Sequence, residues 1–61
     1  MNNTTSLTVD QVAKRNQISR QSIYKEINAG RLRSFKVGKS RRITEEAEQE
    51  WIRQREEEAA A

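Results

Sequence analysis

The sequence predicts one small α+β domain: two short helices in tandem, a two-stranded antiparallel hairpin, and a closing helix. Three observations predict it. Two sets of helix start and stop signals stand close together between Thr8 and Gly30. The apolar spacing then changes from helical to alternating through "LRSFKVGKSRRI", with Gly38 between the two runs. A third start signal, Thr44 followed by Glu45 and Glu46, precedes the apolar positions Ala47, Trp51 and Ile52.

The spacing predicts a first helix over Leu7 to Asn16. Thr8 is a good N-cap, Gln11 stands three residues on as in a capping box, and Asp10 suits the positive end of the helix dipole. Val9, Val12 and Ala13 fall on one side. The segment "RNQIS" breaks that pattern, with Asn16 suited to the left-handed conformation and Ile18 expected in the core. Ser19 then caps a second helix that runs to about Ala29 and stops at Gly30. Two short helices joined by a tight turn form a helix-turn-helix.

After Gly30, the alternation places Leu32, Phe35 and Val37 inward and Ser34 and Lys36 outward. A three-residue loop, Gly38 to Ser40, pairs Phe35 with Ile43 on one face; a two-residue loop pairs it with Arg42 instead. The apolar match favours the three-residue loop. It also sets Lys36 opposite Arg42, a like-charge pair that is unfavourable unless an anion lies against it. Beyond about Arg55, "EEEAAA" has no apolar periodicity. The chain therefore divides into a disordered N-terminus over 1–5, a winged helix-turn-helix over 6–55 and a disordered acidic and alanine tail over 56–61.

Composition narrows the chemistry. The 61 residues include no Cys and no His, which removes disulfides, zinc fingers and the usual activator of a serine nucleophile. Gly30 and Gly38 are the only glycines, so no phosphate-cradling glycine loop exists. The chain reads as a non-enzyme with no cofactor, metal or small-molecule substrate. No segment approaches the ~20 apolar residues of a membrane span, so the expected setting is intracellular, with no membrane partner.

Charge points to a partner. From Lys14 to Arg42, ten cations face a single acid, Glu26, giving +9, whereas Ile43 to Ala61 sums to −5. A polyanion is expected against the middle of the chain. On the second helix, Ile23 and Ile27 define the buried side, leaving Gln21 and Lys25 outward with Ser22 and Tyr24 flanking. Arg20 has the donors for the N7 and O6 of guanine, and Gln21 for adenine. Ser22, Tyr24 and Lys25 suit phosphate oxygens, and Ser19, the cap of this helix, completes the candidate set.

A solvated helix face would look similar, so the hairpin decides. Lys36, Lys39, Arg41 and Arg42 put four cations into seven residues, and Ser40 adds a hydroxyl beside them. That exceeds what protecting a strand edge requires. A wing along phosphates or in a minor groove is the better account, and Trp51, in an acidic segment, is read as core.

The stretch "SLTVDQVAKRNQISRQSIYKEINAGRLRSFKVGKSRRITEEAEQEWI" resembles the compact winged-helix DNA-binding domain of the excisionase family, related to the DNA-binding part of MerR regulators. "LTVDQVA" corresponds to the first helix, "ISRQSIYKEINAGRL" to the recognition helix, and "KVGKSRRI" to the wing. The chain departs from the family in lacking a glycine in "RNQIS" and in carrying Arg33 where proline is frequent. The resemblance implies a sequence-specific binder of double-stranded DNA, recognition helix in the major groove and wing against the minor groove. Such proteins bind near an attachment site, bend the DNA and help a tyrosine- or serine-type integrase to excise a phage or mobile element. It also implies the cytoplasm of a bacterial host, on the nucleoid, with cooperative self-association along DNA. A small repressor of a phage or plasmid operon is the alternative.

Overall fold

The computed structural model describes residues 6–60, in the order β1 (Ser6–Thr8), α1 (Val9–Asn16), α2 (Arg20–Asn28), β2 (Phe35–Val37), β3 (Ser40–Thr44) and α3 (Glu45–Ala60). The fold is a small winged helix-turn-helix of the α+β class. Its sheet has three antiparallel strands in the order β1-β3-β2, one more than the sequence suggests. Leu7 belongs to β1, where it pairs with Ile43, so the first helix begins only at Val9. Three residues are too few to display a period of two, which is why this strand is hidden in the sequence.

Both caps of the helix-turn-helix form from the residues chosen for them. Thr8 Oγ1 accepts from the Gln11 N–H at 3.0 Å while Gln11 Oε1 accepts from the Thr8 N–H at 2.9 Å, a complete capping box. Ser19 Oγ accepts from the Ser22 N–H at 3.1 Å. The left-handed residue ending α1 is Gln17, with φ 57°, rather than Asn16. Asn16 stays helical because its side-chain amide is engaged, donating to Val12 O at 2.8 Å and to Glu48 Oε2 at 2.9 Å. Gly30 takes φ 80° just past α2, a conformation that favours glycine.

The core gathers Leu7, Val9, Val12, Ala13, Ile23, Leu32, Ile43, Ala47 and Trp51, with Tyr24, Ile27 and Ile52 packed against it. Three residues expected inside are not: Ile18, Phe35 and Val37 are 38, 42 and 60 % exposed. For Phe35 and Val37 the cause is register. The strands pair Phe35 with Arg42, Lys36 with Arg41 and Val37 with Ser40, so the loop is the two residues Gly38 and Lys39. Phe35 therefore shares a face with Arg42 and not with Ile43, and the like-charged cross-strand pair is Lys36 with Arg41.

Thr44 starts α3 by accepting from the Ala47 N–H at 3.0 Å. The helix continues through Ala60, where the sequence pattern suggested an end near Arg55. Glutamate and alanine are strong helix formers, and Arg55 pairs with Glu58 one turn on at 2.8 Å, so an apolar stripe is not needed to extend it. Residues 1–5, assigned to a disordered N-terminus, and Ala61 lie outside the described residues.

Glu48 is the one buried charged residue of the described chain. Arg15 Nη2 and Asn16 Nδ2 each donate to it at 2.9 Å, fastening the end of α1 to α3. Both carboxylate oxygens are thereby satisfied, the condition under which a buried carboxylate is tolerated.

Candidate nucleic-acid interface

α2 is oriented from behind and left open in front. Ile23 is fully buried and Ile27 partly so, while Gln21 and Lys25 are exposed, as the helical period demands. Glu26 also faces inward, and it ties three elements together. Its Oε1 accepts from Arg31 Nε at 2.9 Å and from Trp51 Nε1 at 3.0 Å, and its Oε2 accepts from Arg31 Nη2 at 2.9 Å. Arg55 Nη1 lies 3.6 Å from the same carboxylate. The hydrogen bonds from Arg31 and then Trp51 hold the Glu26 carboxyl at a pKa of about 2, against 4.5 ordinarily. A nine-residue helix, roughly 14 Å long, is thus fixed with its polar side outward, a rod that fits a major groove ~12 Å wide.

At the start of that helix the candidate residues converge. A cleft of about 220 Å³ is lined by Asp10, Arg20 and Tyr24 from the helix-turn-helix and by Lys39, Ser40 and Arg41 from the wing. Cations from two separate segments therefore open onto one concavity. Arg20 Nε sits 3.2 Å from Asp10 Oδ1, and its guanidinium lies 5.8 Å from the centre of the Tyr24 ring. Both neighbours favour the charged guanidinium, Tyr24 by side-chain hydrogen bonding and Asp10 by its charge.

The other candidates are distributed around this cleft. Gln21 and Lys25 lie along the exposed side of α2. Ser19 and Ser22 bond to each other, Ser19 Oγ donating to Ser22 Oγ at 2.9 Å, so their hydroxyls already serve the cap. On the wing, Lys36 is exposed and Arg41 half-buried, and as cross-strand partners they project from the same face of the ribbon. Arg41 Nη1 donates to Ser34 Oγ at 3.1 Å, which steadies it. Arg42 projects from the opposite face beside Phe35, so the wing carries positive charge on both of its sides.

Asp10 is the residue of this cleft that sequence reasoning missed. In the sequence it is one more acid in a helix's first turn, and only the fold brings it against Arg20. No spacing rule connects positions on two different helices across a turn.

Among the described residues no cluster of His, Cys, Asp or Glu could hold a metal ion, and no helix is long and apolar enough to cross a membrane. The chain matches no curated protein and no solved structure. A family model described as "Helix-turn-helix domain" does match, and it spans residues 6–56, from β1 through most of α3. Two capped helices meeting at a tight turn, a basic wing beside the second of them, and this match over most of the chain together place the protein in the helix-turn-helix domain family, a family of DNA-binding proteins.

Proposed function

We propose that this protein is a sequence-specific binder of double-stranded DNA that works as an excisionase, a factor directing an integrase toward excision. In this reading α2 enters the major groove from its Ser19 cap, Arg20 and Gln21 read base edges, and Ser22, Tyr24 and Lys25 meet the sugar-phosphate backbone. The wing lies against the adjacent minor groove through Lys36, Lys39, Ser40, Arg41 and Arg42. The single observation that carries the reading is the cleft in which Arg20 of α2 and Lys39 and Arg41 of the wing open together. One duplex laid over it meets both elements, as a recognition helix and its wing require.

The excisionase role draws on the sequence resemblance and on size. A single module of this kind buries only about 600–1,000 Å² of protein surface on DNA, so one copy binds modestly and gains from neighbours on adjacent sites. Cooperative loading on tandem sites follows from that economy of surface, whereas DNA bending, contact with an integrase of the tyrosine or serine type, and a place in a bacterial cytoplasm on its nucleoid are what the resemblance implies. Footprinting on the DNA of the element that encodes the chain tests this. Several phased sites beside an attachment site, with excision by the integrase rising on addition of the protein, are the expected result. Protection of one operator over a promoter, without effect on excision, assigns the protein to repression instead.

A further inference from the structure

Arg20 is the side chain on which the reading above places guanine recognition, and it is already held. Its Nε faces Asp10 Oδ1 at 3.2 Å, and the Tyr24 ring, one helical turn further along α2, lies 5.8 Å from the guanidinium. The caps set both backbone positions. Asp10 lies within the capping box, Thr8 to Gln11, that starts α1, and Arg20 follows the Ser19 cap that starts α2.

Stability does not explain the pair. The two side chains are 63 and 71 % exposed, and an ion pair so open to water adds little to a fold. The same carboxylate lines the cleft that also holds Lys39 and Arg41, where an acid repels phosphate and lowers affinity. What the pair does accomplish is geometric. A guanidinium is a planar fork; with a carboxylate facing Nε and the Tyr24 side chain beside it, the N–H groups turned away from both remain for the hydrogen bonds that guanine O6 and N7 accept. A side chain already restricted to that plane loses less freedom when it meets the base.

We propose that Asp10 is a positioning residue for base readout: it holds Arg20 by Nε so that the opposite edge of the guanidinium is presented to guanine, trading some general affinity for discrimination. The proposal rests on the duplex-binding reading, and it adds to the recognition surface an acid that contacts no base. Electrostatically, Asp10 acts among Arg20, Lys39 and Arg41, so removing it leaves the cleft more positive and better suited to any DNA.

The experiment selects binders from a pool of random duplexes with the full chain, then measures affinity for the selected site, for the same site with its guanine replaced, and for random duplex. The proteins are the wild type, Asp10→Ala, Asp10→Asn, Arg20→Ala and the double variant Arg20→Ala/Asp10→Ala, each checked for helicity by circular dichroism. Wild type is expected to enrich guanine at one position. Asp10→Ala should lower that preference by roughly two- to fivefold while tightening random-duplex binding about twofold. Asp10→Asn, which removes the charge of the ion pair while keeping the side chain's shape, should lower the preference as Asp10→Ala does, and in the Arg20→Ala background removal of Asp10 should leave that position unchanged. A selective wild type whose guanine preference survives or sharpens in Asp10→Ala overturns the positioning role and leaves duplex recognition standing. A wild type with no preferred duplex overturns duplex recognition, and the positioning role with it.

Discussion

Between Lys14 and Arg42 there is a single acid, and Glu26 joins α2, the turn after it and α3. Its folded-state pKa of about 2 lies below the ordinary 4.5, because Arg31 and Trp51 bond to the charged form. The sign follows directly: the depressed value means that the stabilisation is fully present above the unfolded pKa and is lost as pH falls toward 2. The carboxylate is 16 % exposed, so its contribution is at most about 3 kcal/mol, comparable to the whole stability of a domain this small. Glu26→Gln should therefore lower the melting temperature markedly at neutral pH, and the gap from wild type should close between pH 5 and pH 2. A gap that stays constant over that window, measured by circular dichroism, removes the charged hub. None of this is readable in the sequence. Arg31 follows a glycine turn and Trp51 stands on another helix, so Glu26 looks there like a stray acid on a basic helix.

At the scale of elements, the helices were legible because their caps are local. Thr8 with Gln11, Ser19 and Thr44 all act where a four-residue window places them. The hairpin was legible as a hairpin but not in its register. Ile43 needed an apolar neighbour across the strands, and with β1 hidden at the head of a helix, Phe35 was the best candidate. Leu7 fills that role instead, which frees the wing to use a two-residue loop. Gly38 adopts φ 61° there, and Lys39 stays out of the positive-φ region, the pattern of a turn that requires glycine at its first central position. An alanine Cβ at Gly38 meets no atom within 4 Å, so any penalty is conformational. Gly38→Ala should cost about 1 kcal/mol of stability and weaken binding to every duplex alike, because it misdirects Lys39 while leaving α2 intact. Loss of base preference, without loss of general affinity, would mean that the wing contributes to readout rather than to anchoring.

Over the whole molecule, the +9 of the middle segment is sorted by the chain's own acids. Arg15 meets Glu45 and Glu48, Arg20 meets Asp10, Arg31 meets Glu26, and Arg33 meets Glu50. Among the described residues, the cations of that segment with no ion pair are Lys14, Lys25 and all four of the wing: Lys36, Lys39, Arg41 and Arg42. Acids of α1, α2 and α3 thus neutralise Arg15, Arg20, Arg31 and Arg33 and leave Lys14, Lys25 on the outer side of α2 and the wing cations to a polyanion. Composition alone could not show this sorting, since net charge counts every cation equally. If Lys25 and the four wing residues each displace a counterion from a phosphate, the logarithm of the binding constant should fall with the logarithm of salt concentration with a slope of about −4 to −5. Lys39→Ala should make the slope shallower by about one, whereas Arg33→Ala, already compensated by Glu50, should move it far less. Equal changes in the two variants, in a salt titration on one duplex, would show that the internal ion pairs open on binding and that the charge is not partitioned between body and wing.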